Sequence, residues 1–197
     1  MKTQKIISIK TATIAMLVAT LLTFAACGGE NGKSTKENQS SETPVKPPNM
    51  DIHTATVLGD LDAIQQHIKA GTDLNSKEPA VGSTPLISAA VFGKTEIALA
   101  LIEAGADLNI QNNEGSSALH SAAFLCRTEI VKALLDKGAD KSLKNNYGST
   151  ALESVSAPWE YVEAIYDQFA KDLGPLGLKL DFAQLEETRP VIAEMLQ

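Results

Sequence analysis

A chain of 197 residues with a formal net charge of −7 fits one acidic domain with a tail. Residues 1–26 hold Lys2, Lys5 and Lys10 and no acid, so the remainder carries −7 less those three, or −10. Such a surface repels nucleic acid, whose binding rests on neutralising phosphates with Lys and Arg, and two cysteines, Cys27 and Cys126, are too few for a small disulfide scaffold.

The first 26 residues pass from a basic start to an apolar run, Thr11 to Ala26, diluted by threonines. Sixteen residues fall short of the roughly 20 that span a bilayer, and the small residues at the end suit a cleavage site, so 1–26 reads as a signal peptide. The junction "LLTFAACGG" resembles the lipobox of bacterial lipoproteins. That resemblance implies acylation of Cys27 after Ala25 and Ala26, and thus a membrane partner through a lipid anchor. Phe24 departs from it, standing where the family carries an aliphatic residue. The implied location is the bacterial cell envelope, and Gly28 after the cysteine points to the outer membrane in a cell with two membranes. Plain secretion with Cys27 as an incidental thiol is the alternative. Residues 27–50 contain no aromatic residue, Leu or Ile, too little apolar surface to order a chain, and read as a disordered tether.

From Asp51 onward one phrase recurs. "KAGTDLN", "EAGADLN" and "DKGADKSL" place Gly71, Gly105 and Gly138 34 and 33 residues apart, and Gly82, Gly115 and Gly148 open successive units. The clearest unit is "GSTPLISAAVFGKTEIALALIEAGADLN", 82–109. Thr84 is a good N-cap and Pro85 suits the first helical position. Leu86, Ala89 and Ala90 share one face. Gly93 stops this short helix, a second follows with Ile97, Leu101 and Ile102 inward, and Gly105 stops that. No unit this small covers its own apolar face, so the units must stack.

The residues "STPL", "AA", "TEI" and "GADLN" resemble the ankyrin repeat. The resemblance implies an all-α solenoid of stacked helix-turn-helix units with β-hairpin-like fingers, over 51–197. Repeats are expected at about 51–80, 81–113, 114–146 and 147–179, with a C-terminal cap at 180–197. That cap reads as a helix pair, Pro190 opening its second helix. His67 departs from the leucine of Leu101 and Leu134, and Cys126 from the turn glycine.

The sequence carries no catalytic signature. His53, His67 and His120 have no zinc-like spacing, and His120 matches the family's Leu-His, whose imidazole bonds the turn backbones of adjacent repeats. Cys126 has no base in a nucleophile's arrangement, Glu96 and Glu129 recur with the repeat, and no glycine-rich phosphate loop is present. The expectation is a non-enzymatic protein-binding module without cofactor, metal or small-molecule substrate, and a monomer. An inhibitor or immunity protein blocking one envelope toxin or enzyme is the narrower alternative, and an enzyme using Cys126 or the acidic surface the one from another class. If the ankyrin geometry holds, the partner meets positions that vary between repeats: Val57, Val91 and Phe124 on the inner helices, and Gln111, Asn113, Glu114, Lys144, Asn146 and Tyr147 on the fingers.

Overall fold

The computed structural model describes residues 46–197. The readings for 1–45, including the signal peptide, most of the tether and acylation at Cys27, lie outside the described residues. Three helix pairs come first: α1 (Ile52–Leu58) with α2 (Leu61–Lys69), α3 (Pro85–Phe92) with α4 (Thr95–Glu103), and α5 (Ala118–Phe124) with α6 (Thr128–Asp136). Inner helices α1, α3 and α5 stack on one another, and outer helices α2, α4 and α6 form a second layer. Then follow α7 (Ala151–Ser156), α8 (Trp159–Leu173), a 3-10 turn (Gly174–Leu176) and α9 (Phe182–Leu196). Among the described residues there is no strand.

Local chemistry explains the pairs. Thr84 Oγ1 accepts from the Ile87 amide at 3.3 Å with Pro85 in the first turn of α3. Thr150 and Glu153 form a reciprocal capping box at the start of α7. Ala89, Ala90, Ala122 and Ala123 are fully buried, small enough for inner helices to approach closely. Leu101 and Leu134 are also fully buried. His67, at the same position in the first pair, is buried too. Its ring bonds the Met50 carbonyl at 2.8 Å and the Thr72 hydroxyl at 3.0 Å. The imidazole thereby fastens the entering chain, and Met50 packs against the core. The expected tether boundary at residue 50 therefore moves upstream of Met50.

The fourth unit departs from expectation. α9, not α8, packs along α7 and reaches α5 and α6, so α9 fills the outer-helix place of the fourth pair. α8 and the 3-10 turn form an insertion between the two helices of that pair. The expected division into a repeat at 147–179 and a cap at 180–197 is corrected accordingly. So is the helix pair opened by Pro190, because α9 is one continuous helix with Pro190 inside it. Proline removes one backbone donor, but Pro190 faces solvent, where water can reach the released carbonyl. Leu185, Arg189, Ile192 and Leu196 are buried along one face and hold both halves of the helix to the array.

The insertion builds a second core. Val162 and Tyr166 of α8, Leu185 of α9 and Leu125 are buried there, with Phe124, Trp159, Phe169 and Phe182 packed around them. Tyr166 stacks on Phe124 with centroids 4.6 Å apart, and on Trp159 at 5.5 Å. Its hydroxyl donates to the Phe124 carbonyl at 2.6 Å and accepts from Arg189 Nη1 at 2.6 Å. Arg189 also donates to the Ala157 carbonyl at 2.6 Å. Its buried charge is thus met by carbonyls and a phenol, with no carboxylate in ion-pair reach among the described residues. Burial lifts the Tyr166 phenol to about 12, so it stays a donor.

Candidate interaction surface

Three fingers join successive units, centred on 78–83, 112–116 and 145–149. Each is a turn closed across its mouth by a backbone bond, Glu78 N–H to Ser83 O, Asn112 N–H to Ser116 O, and Asn145 N–H to Ser149 O, all 3.0 Å, and each glycine amide donates back to the first residue's carbonyl. The side chain of the first residue ties each turn from inside. Asn112 Oδ1 accepts from the Glu114 and Ser116 amides, and Asn145 Oδ1 from the Tyr147 and Ser149 amides. In the first finger, one residue longer, Glu78 does this work. Burial pushes its carboxyl up, but bonds from the Ser83, Val81 and Ala80 amides outweigh that and hold it below the ordinary value.

Neighbouring fingers are bonded to each other. Asn113 N–H donates to Val81 O and Asn146 N–H to Glu114 O, both at 2.9 Å. Side chains add further links: Lys77 Nζ to Gln111 O at 2.6 Å, Gln111 Nε2 to Lys144 O at 2.9 Å, and Asn146 Nδ2 to Asn113 O at 2.9 Å. Gly115 must be glycine for this approach: its φ is 74°, and a Cβ would come within 2.7 Å of Asn146 Oδ1 and 2.8 Å of Asn146 N.

These bonds sort the expected contact residues. Gln111 and Asn146 are engaged between fingers, so their side chains hold the frame. Asn113 is exposed but rests over Gly82. Glu114, Lys144 and Tyr147 are exposed at the tips, the Tyr147 ring 77% so. On the inner helices, Phe124 is half-buried and fills a gap between helices. Its ring is stacked inside the molecule on Tyr166 and near Phe169, so the inserted helix occupies the place expected for a partner. Val91 is half-buried against both cores. Val57 is half-buried and belongs to neither.

His120 Nδ1 faces Ser117 Oγ at 2.9 Å and accepts from its amide, leaving Nε2 to donate to Ser149 O at 3.1 Å. The ring therefore ties α5 to the third finger. Burial pushes its pKa below the ordinary 6.5, against the opposing effect of the Ser149 carbonyl. Because the folded value lies below the unfolded one, the unfolded chain takes up the proton first. This contribution is present in full above 6.5 and declines as pH falls through it. Thermal melts between about pH 7.5 and 5.5 should show a falling midpoint whose slope is shallower in His120→Gln.

Cys126 adopts φ 54° at the place of the turn glycine, a left-handed conformation that costs a non-glycine residue about 1 kcal/mol or more. Its Sγ lies 3.7 Å from the Leu185 carbonyl, and burial raises the thiol to about 11. A cleft of about 320 Å³ lies beside it, lined by Arg127, Lys179, Asp181 and Gln184 among others. Among the described residues, no three His, Cys, Asp or Glu side chains cluster closely enough to hold a metal ion.

Comparison with known proteins agrees with this architecture. Residues 52–145 match the family description "Ankyrin repeats (3 copies)". Over these residues the stacked helix pairs have the ankyrin-repeat fold. The crystal structure of the ankyrin repeat domain of Bcl-3, described as a unique member of the IkappaB protein family, matches with a TM-score of 0.51 and 33% identity. That match covers 52% of this chain and 45% of the other. The human "DNA-binding protein RFXANK" is 36% identical over 77 residues, 39% of this chain and 30% of that protein. The human "Protein phosphatase 1 regulatory subunit 27" is 36% identical over 64 residues, 32% of this chain and 41% of that protein. The chain therefore spans well under half the length of these curated relatives. These relatives are named as a binding and a regulatory protein.

What sequence reasoning missed is the second core. The spacing of Val162, Tyr166, Phe169 and Leu173 was a visible signal, since it marks one long apolar helix face in a place where the other outer helices have nine residues. For Arg189 no such signal exists, because a lone arginine in a charged helix reads as surface.

Proposed function

We propose that this protein is a non-enzymatic adaptor that binds another protein through its finger tips, held at a bacterial cell envelope by acylated Cys27. One position carries the binding half of the reading. Val81, Glu114 and Tyr147 are equivalent in successive fingers, differ completely in chemistry, and are all exposed. A frame that leaves one position unconstrained while burying its repeated alanines and leucines presents that position for recognition. The acidity of the chain speaks against nucleic acid as the partner, and the name of the RFXANK relative belongs to that protein. A thiol raised to about 11 is a poor nucleophile, which speaks against enzymatic use of Cys126.

The envelope half rests on the sequence "LLTFAACGG". Cys27→Ser should release the protein from the membrane fraction or leave it as an uncleaved precursor. Normal maturation with unchanged membrane association would defeat the lipid-anchor reading. A narrower version, inhibition of one envelope enzyme or toxin, draws support from the relative named as a phosphatase regulatory subunit. Recovery of a single enzyme whose activity falls on adding the array would select it.

A further inference from the structure

Each finger except the third is closed by the one that follows, and the closure repeats. The carbonyl of the variable tip residue, Val81 or Glu114, accepts from a backbone amide of the next finger. The donor before it, Lys77 or Gln111, reaches a carbonyl of the next finger. An asparagine side chain, Asn113 or Asn146, lies over the glycine, Gly82 or Gly115. In the third finger the corresponding groups are the Tyr147 carbonyl, Lys144 Nζ and Gly148. Among the described residues neither polar group makes a hydrogen bond, and nothing stands within 4 Å of where a Gly148 Cβ would be.

We propose that the outer face of the third finger is a docking surface for a tight turn of a partner protein, one carrying an Asn or Gln that stacks over Gly148. This rests on the adaptor reading above and deepens it. The molecule displays the complement twice, since the same trailing face is covered in the same manner on both preceding fingers. The exposed Tyr147 ring at its corner adds apolar area that a partner can bury, as aromatic rings at interfaces commonly do.

A second copy of this chain fits less well. Joining head to tail, it would have to present its first finger, where Pro79 and Ala80 stand in place of the leading asparagine. Pro79 has no N–H, the Ala80 amide donates to Glu78 Oε2 at 2.6 Å, and Glu78 Oε1 takes the Val81 and Ser83 amides. The leading face of the first finger is therefore closed by its own side chain, a device that blocks edge-to-edge growth. The array is shut at the front and open at the back.

The test uses the full chain in detergent micelles, labelled with fluorotyrosine, whose three tyrosines are Tyr147, Tyr161 and Tyr166. The probe is a cyclic peptide of sequence SLKNNYGS, copied from the third finger, with a control in which its second Asn is Pro. The Tyr147 fluorine resonance should shift saturably while those of Tyr161 and Tyr166 stay fixed. The control should bind about tenfold more weakly, having lost a backbone donor and an amide. Gly148→Asn, which tolerates the left-handed backbone and fills the face, should abolish the shift and leave the other two resonances in place. No shift at Tyr147, equal binding of the control, or a shift at Tyr161 instead would overturn the proposal. Crosslinking separates this from the adaptor reading. A partner recovered equally by wild type and Gly148→Asn overturns the docking surface and keeps the adaptor, whereas one lost only in Gly148→Asn supports both. If neither chain recovers a partner the adaptor reading falls, and the peptide result decides the surface.

Discussion

Tyr166→Ala should lower the unfolding free energy by about 3–5 kcal/mol, as for large aromatic deletions from a core. The ring is fully buried, stacks on Phe124 and Trp159, and bridges the Phe124 carbonyl to Arg189. Tyr166→Phe isolates the hydroxyl. It keeps the stacking but leaves Arg189 and a carbonyl each short of a partner, at about 1–3 kcal/mol. Urea unfolding followed by circular dichroism would measure both. A loss below 1 kcal/mol for the alanine variant would mean that α8 is not docked on the array.

The second large effect lies in the repeats themselves. Leu101→Ala and Leu134→Ala should each cost about 2–5 kcal/mol, because each removes a fully buried side chain and leaves a cavity between stacked pairs. In a linear array each pair touches only its neighbours, so the damage spreads along the stack through those interfaces. Leu101 has a pair on either side, whereas Leu134 faces α9 on its far side. A Leu101→Ala midpoint equal to wild type in the same denaturation would contradict the stacked core.

The repeats were legible because their rules are local. Thr84, Pro85, Gly93 and Gly105 each mark a helix boundary through chemistry confined to its own turn, and the period of 33 multiplies that signal. The fourth unit was not legible because its outer helix lies some 25 residues further along the chain than the period places it, after an insertion. Nothing in "GSTALESVS" announces that its partner helix is α9. Pro190 misled for a related reason: proline suits the start of a helix as well as a solvent-facing interior position, and only the buried face of α9 decides between them. On the fingers, variation between repeats was a poor guide. Lys77 and Gln111 differ in chemistry yet do the same work, because each donates to a backbone carbonyl that exists whatever the residue. Variation marked a free surface at Val81, Glu114 and Tyr147, where the side chain leaves the frame, and at Lys144, whose position has no following finger to bond.

The claim that this frame exists to present its finger tips is tested most directly at Tyr147. Tyr147→Ala should leave the melt within about 0.5 kcal/mol of wild type, as expected for an exposed side chain. A photo-crosslinking residue placed there in the native cell should then yield one discrete protein adduct. The same residue at Lys132, exposed on the outer helix α6, should yield none. An identical adduct from both positions, or none from Tyr147, would contradict the account.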